Sequence, residues 1–232
     1  MPSVSSSPPG GRRRHTPDAP AGLVEAHLTA PRVATYVDAC DGDLNQALLL
    51  YKWNARIAGA LWEALGHGEV LLRNAIHDTL TTRHQHRRQP GYWFDNPRHE
   101  LDNRAHDEID AAKRRARRGI SSEAVPPGKL VAELPFGFWR YLLAKRYSPT
   151  LWPAIRHAFP HLPGRNRARL ERPVIHLHQL RNRITHHEPL IRENLPARLA
   201  DLEYVLDAID PALRRWIRDD GGRLVAIVTD RP

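Results

Sequence analysis

The stretch Arg172–Glu188, RPVIHLHQLRNRITHHE, repeats its apolar residues at the spacing of an amphipathic helix. Pro173 suits a first helical turn and Pro189 suits a stop, so the sequence predicts a helix over residues 170–188. At about 100° per residue, the apolar side chains fall on one stripe roughly 120° wide. These are Leu170, Val174, Leu177, Leu180 and Ile184. Such a stripe is typical of a helix that packs one face against a core.

Arg181 falls inside this apolar stripe. A charged side chain is costly there unless it is paired or faces a wet cleft. One border of the stripe is also polar, and it carries His178, Asn182, Thr185 and His186, whereas Arg183 and His187 point to solvent on the same wheel. A guanidinium and an imidazole beside one cleft suit a phosphate, because arginine neutralises phosphoryl charge and histidine exchanges protons near neutral pH. The alternative is a structural arginine with a local partner.

A second predicted helix shows the same anomaly. Its apolar stripe contains Leu65, Leu72, Ile76 and Leu80. Glu69 lies in the middle of that stripe, and Arg73 follows on its edge one turn later. If the two stripes face each other, Glu69 and Arg181 neutralise one another. The alternative is that Glu69 pairs locally with Arg73 and that no site exists.

The rest of the chain predicts an all-α protein. Asp43 is expected to cap the long helix that contains Glu69, with a kink near Gly66 and Gly68. Apolar and polar residues alternate strictly almost nowhere, and only Leu224–Val228 suits a short strand. We predict a disordered basic tail rich in proline and serine over residues 1–27, one all-α domain over 28–220 and a C-terminal tail over 221–232.

The composition indicates the kind of partner and excludes several classes of protein. There are 35 lysines and arginines against 26 acidic residues, which gives a net charge of +9 and favours a polyanionic partner, most simply nucleic acid. The single cysteine, Cys40, excludes a disulfide framework and a cysteine zinc finger. No apolar run suits a membrane span or a signal peptide, so we expect a cytoplasmic protein with no membrane partner.

Two groups of arginines are weaker candidates for RNA contact. The first lies in the run Lys113–Arg118 and the second precedes the Arg181 helix; they comprise Arg114, Arg115, Arg117, Arg118, Arg165, Arg167 and Arg169. The alternative for each is a solvated helix face. The pairs His84/His86 and His176/His178 lack a carboxylate at metal-site spacing, so we interpret them as surface histidines and expect no metal and no cofactor.

The segment Arg181–His186 is an Arg-x4-His motif. It resembles the RN-x-x-x-H signature of HEPN-domain ribonucleases, and the chain more closely resembles the Abi-like (abortive infection) proteins of bacteria. The resemblance spans roughly residues 28–220. It includes LTAPR at Leu28–Arg32, YKWN at Tyr51–Asn54, GHGEVLLRNAI at Gly66–Ile76 and GKLVAELPFGFW at Gly128–Trp139.

The resemblance implies a HEPN-like helical bundle and a metal-independent endoribonuclease. By position, Arg181 and His186 are the catalytic pair and Asn182 is the polar residue after the arginine. Glu69, Arg73 and Asn74 match the other charged helix of the family, and the motif does not need the additional His187. The resemblance further implies a homodimer whose two motifs meet at the interface, and a role in phage defence or as a toxin with a cognate antitoxin.

The chemistry expected of such a site is attack of the RNA 2′-OH on the adjacent phosphorus, with His186 as acid or base and Arg181 stabilising the phosphoryl charge. Two other functions stay open. One is a non-catalytic RNA-binding module of the same fold. The other is a protein-interaction module in which Glu69 and Arg181 form a structural ion pair.

Overall fold

The computed structural model describes residues 21–95, 100–118, 126–218 and 222–232. Within these ranges the chain forms helices and turns and no strand, which confirms the all-α class. The helices are α1 (Ala21–Leu28), α2 (Ala30–Ala39), α3 (Leu44–His86), α4 (Asn103–Ala116), α5 (Pro127–Glu133), α6 (Phe136–Leu142), α7 (Trp152–Ile155), α8 (Arg167–Thr185), α9 (Leu195–Ile209), α10 (Pro211–Arg218) and α11 (Arg223–Thr229). Short 3-10 helices cover Trp93–Asp95, Lys145–Tyr147, Arg156–Ala158 and Pro163–Arg165.

The chain divides into two compact units, of which the first comprises Met1–Arg56 and Asp230–Pro232. Its buried side chains include Val33 and Tyr36 of α2 and Trp53 of α3. The rings of Tyr36 and Tyr51 meet edge to face, with their centroids 5.3 Å apart. These contacts hold α2 beside the first turns of α3.

The second unit is Ile57–Thr229, and its core contains both apolar stripes predicted from the sequence. All the stripe residues of α8 and of the second half of α3 are buried. In this unit α8 packs against α6 and α9, and α9 packs against α10. The aromatic side chains Trp93, Phe136, Phe138 and Trp139 are also buried, so they belong to the core.

Helix α3 begins as predicted but has no break at its glycines. The Asp43 carboxylate accepts hydrogen bonds from the backbone N–H groups of Asn45 and Gln46 at 2.9 and 3.1 Å, which confirms the N-cap. The helix then runs without interruption through Gly66 and Gly68, near which a kink was predicted. A Cβ at Gly68 would lie 2.7 Å from Cδ1 of Leu202, so this glycine lets α9 approach closely. None of the described helices has both the length and the apolar character needed to cross a membrane.

Both predicted tails contain helix where the structure describes them. Residues 21–27, assigned to the disordered tail, lie in α1, because alanine, leucine and glutamate favour helix once the proline-rich segment ends. Residues 1–20 of that tail lie outside the described part of the chain. The predicted strand at Leu224–Val228 is instead helix α11. A strand needs a neighbour for its backbone hydrogen bonds, and the described residues supply none.

Candidate functional site

Arg181 and Glu69, the two charged residues that lie inside apolar stripes, are close to each other in the second unit. Nε of Arg181 on α8 lies 3.9 Å from Oε2 of Glu69 on α3. This distance is within range for an ion pair but too long for a hydrogen bond. The Arg181 side chain is 32% exposed and that of Glu69 is 19% exposed, so the pair lies at the edge of the core rather than inside it. The geometry therefore leaves the guanidinium accessible to a ligand.

Glu69 stands between two arginines. Burial raises the pKa of its carboxyl above the ordinary value, and the charges of Arg181 and Arg73 and the backbone N–H of Phe136 offset part of that rise. Nε of Arg73 is buried and has no hydrogen-bond partner among the described residues. Asn74, the next residue, is exposed. One carboxylate thus faces two cations, and the surroundings of Glu69 keep a net positive charge.

Trp62 is a site residue that the sequence did not indicate. The guanidinium carbon of Arg181 lies 5.5 Å from the centroid of its ring. This cation–π contact positions the guanidinium without occupying its N–H donors. The indole is 48% exposed. The sequence did contain a signal for Trp62. It precedes Glu69 by seven residues, or about two turns, and therefore lies on the same face of the helix.

The C-terminal end of α8 differs from the prediction of a helix to residue 188. The helix ends at Thr185, and His186 is its C-cap residue. The N–H of His187 bonds to the carbonyl of Ile184 and that of Glu188 to Arg183, at 3.0 and 2.8 Å. His187 takes a φ of 54°, the left-handed conformation that this Schellman end requires. Both His186 and His187 are exposed, and the chain leaves the helical path at His187.

Arg183, predicted to point to solvent, is a structural residue. It donates to the Glu193 carboxylate and to the carbonyl of Pro189, both at 2.6 Å. Its Nε lies 3.3 Å from the Glu188 carboxylate. These bonds use its donors to hold the loop after α8. Within the motif, Arg181 is therefore the arginine left for a ligand.

A half-buried histidine, His178, lies one turn before Asn182 on α8. Its Nε2 is 3.5 Å from Nδ2 of Asn182, and its ring meets Phe136 edge to face at 5.6 Å. Burial lowers the pKa of His178, and the nearby charges of Arg140, Arg181 and Arg104 lower it further. The imidazole is therefore neutral near pH 7. The sequence placed His178 on the correct border but did not indicate the arginines that face it.

The structure separates the weaker RNA-contact candidates into two groups. Arg114, Arg117, Arg118, Arg165 and Arg169 are exposed. Arg115 instead donates to the carboxylate and the carbonyl of Glu133, and Arg167 donates to Glu171 and to the carbonyl of Leu143. Arg115 and Arg167 are thus structural anchors that tie helices together.

The histidines at short spacing do not form a metal site. His84 is buried, and its Nε2 lies 3.1 Å from the carbonyl oxygen of Gly91, so its interpretation as a surface histidine was wrong. Nδ1 of His176 lies 2.9 Å from the Asp201 carboxylate. Across the described ranges, no three His, Cys, Asp or Glu side chains are grouped so that they could hold a metal ion.

Acid should destabilise the fold through buried histidines. Burial lowers the pKa of both His77 and His178 below 6.5, so the folded state binds these protons less readily than the unfolded state. The stability they contribute is present above that pH and is lost as the pH falls. We expect the urea midpoint to decrease from about pH 7.5 to about pH 5.5, and to decrease less in His178→Gln. The raised pKa of Glu69 has the opposite effect on stability, in the wild type and in His178→Gln alike. An equal decrease of the urea midpoint in these two proteins would contradict the role of His178.

Comparisons with known proteins give no match to this chain among family models, curated proteins or solved structures. The candidate site comprises an arginine whose Nε has no hydrogen-bond partner among the described residues, a half-buried carboxylate, an amide and an exposed imidazole.

Proposed function

We propose that this chain is a metal-independent endoribonuclease of the HEPN type, as its resemblance to the Abi-like proteins implies. The observation that carries the proposal is the state of Arg181. It lies over Trp62 and beside Glu69, yet its guanidinium Nε has no hydrogen-bond partner among the described residues. A positioned guanidinium with an unused donor can bind the phosphoryl oxygens of a phosphodiester.

The proposed reaction is a transesterification within RNA. The 2′-oxygen forms a bond to the adjacent phosphorus while the bond from phosphorus to the 5′-oxygen breaks. One imidazole accepts the 2′-OH proton and a second gives a proton to the leaving 5′-oxygen. His186 supplies the imidazole, and Arg181 stabilises the charge that develops on the phosphoryl oxygens. We assign to Asn182, one residue after Arg181, a hydrogen bond donated from its amide. The products are a 2′,3′-cyclic phosphate and a 5′-OH.

Two proton transfers and one His186 per chain favour a homodimer in which two motifs share one RNA. In support, Trp62 and Val70 are exposed apolar side chains about two turns apart on α3, and Trp62 contacts Arg181. We expect sedimentation at micromolar concentration to give twice the chain mass of 26.5 kDa. A monomer with full ribonuclease activity would exclude the shared site.

The direct test is incubation of the purified protein with RNA in excess EDTA. Cleavage with 2′,3′-cyclic phosphate ends supports the proposal, provided that it is lost in both Arg181→Ala and His186→Ala. Binding without cleavage would instead support the RNA-binding module. If the protein neither cleaves nor binds RNA, and Arg181→Ala is markedly destabilised, then Arg181 and Glu69 form a structural ion pair in a protein-interaction module. Growth arrest on expression, absent in the same variants, would support a role in phage defence or as a toxin.

A further inference from the structure

Two arginines and a histidine come together where α4, α6 and α8 approach one another in the second unit. They are Arg104 of α4, Arg140 of α6 and His178 of α8, with Arg181 one turn further along α8. Burial, and then the charges of Arg140, Arg181 and Arg104, lower the pKa of His178, and Gly137 of α6 lies against its imidazole. We call Arg104, Arg140 and His178 the α6 cluster.

The positive charge of this cluster is not neutralised. Throughout the described ranges, no carboxylate lies within ion-pair distance of Arg104 or Arg140, and Nε of Arg140 is buried without a hydrogen-bond partner. Other arginines of this unit are paired within the fold: Arg115, Arg167 and Arg183 each donate to a carboxylate and to a carbonyl. A buried donor without an acceptor is costly, so the arrangement favours an anionic ligand.

The cluster is also held in place. The guanidinium carbon of Arg104 lies 4.4 Å from the centroid of the Tyr141 ring, and the Tyr141 hydroxyl donates to Asp102 at 2.8 Å. Gly137, Arg140 and Tyr141 are three and four residues apart, so they share one face of α6. A Cβ at Gly137 would lie 3.2 Å from Nε2 of His178, so the glycine gives the imidazole its space. The stacking on Tyr141 fixes the Arg104 guanidinium without using its N–H donors.

We propose that the α6 cluster is a second phosphate-binding subsite, which binds an RNA backbone phosphate next to the one bound by Arg181. The identity of the anion as RNA rests on the proposed function. His178 precedes His186 by eight residues, or about 12 Å along the helix. A strand bound at both positions must therefore follow α8. His178 adds a proton-linked contact, because an anion favours the protonated imidazole that burial and the charges of Arg140, Arg181 and Arg104 otherwise oppose.

The test measures binding of a single-stranded 2′-O-methyl RNA, which cannot be cleaved by the proposed reaction, using fluorescence anisotropy. We expect the double variant Arg104→Ala/Arg140→Ala to weaken binding about tenfold or more. The slope of log affinity against log salt should fall by about 0.7 for each lost phosphate contact. The matched control is Arg218→Ala/Arg223→Ala, which removes the same charge from exposed ion pairs with Glu203 and Glu63. An equal loss in both double variants would overturn the subsite.

Two further measurements keep the outcomes separate. Wild-type affinity should rise as the pH falls from about 8 to about 6, and this rise should be smaller in His178→Gln. Tight binding of inorganic phosphate alone, with no binding of the RNA, would overturn the assignment to a nucleic-acid backbone. Because the probe is not cleaved, RNA binding through the cluster by a protein that cleaves no RNA would refute the ribonuclease and retain the subsite. RNA cleavage and RNA binding that are both unchanged in Arg104→Ala/Arg140→Ala would refute the subsite and retain the ribonuclease.

Discussion

Arg181→Ala should lower the rate of RNA cleavage by about 10²–10³-fold, the usual cost of removing one group that stabilises transition-state charge. The guanidinium contacts Trp62 and Glu69 without a hydrogen bond from Nε, so its removal takes away the proposed phosphate contact rather than a structural hydrogen bond. Arg181→Lys should recover part of the rate, because lysine keeps the charge but loses the planar fork. The measurement is a single-turnover rate at saturating RNA in EDTA.

Two controls separate a chemical effect of Arg181 from a structural one. Arg218→Ala removes an arginine that is paired with Glu203 and should leave the rate near wild type. Thermal unfolding of Arg181→Ala should stay close to wild type, because Arg73 remains beside Glu69 and the pair is already partly exposed. A wild-type cleavage rate in Arg181→Ala would remove this residue from the site. Loss of folded protein would favour the structural ion pair.

The sequence predicted the helices that bury a continuous stripe, because burial imposes the helical period on the apolar residues. The stripes of α8 and of the second half of α3 are buried as expected. Helix ends were harder to predict. The end of α8 has histidine rather than glycine at its left-handed position, so the usual signal was missing. The segments with weak amphipathic patterns, α1 and α11, form helices without any buried residue.

The pairing of Glu69 with Arg181 could be predicted because a charge inside an apolar stripe needs a partner from another element. Arg104, Arg140 and Trp62 could not be found in this way. Each lies on a helix face that is not unusual by itself, and its role depends on which helices pack together. The same limit applies to Arg115 and Arg167, which have the sequence signature of a basic patch but whose donors are used between helices. Charge alone therefore does not separate ligand-binding arginines from structural ones; their hydrogen-bond partners do.

His186 and His187 are adjacent in sequence but differ in backbone geometry, and this difference predicts which of them takes part in cleavage. His186 keeps a near-helical φ of −88° and ψ of 9°, and its N–H bonds to the carbonyl of Asn182 at 3.0 Å. Its side chain therefore continues the polar border of α8 past Asn182. His187 has a φ of 54° and begins the chain reversal. The imidazole of His187 consequently leaves the face that contains Arg181.

We expect His186→Asn to lower the cleavage rate by about a hundredfold or more, because a lost general acid or base costs 10²–10⁴-fold. His187→Asn is the matched variant, since it makes the same substitution one residue later and asparagine tolerates the left-handed conformation. It should change the rate by no more than a few fold, and neither variant should shift the unfolding midpoint appreciably, because both side chains are exposed. The comparison uses single-turnover rates at saturating RNA and neutral pH. A large loss in His187→Asn with a normal rate in His186→Asn would mean that the proton-transfer group lies beyond the chain reversal, and the pairing of His186 with Arg181 would then be wrong.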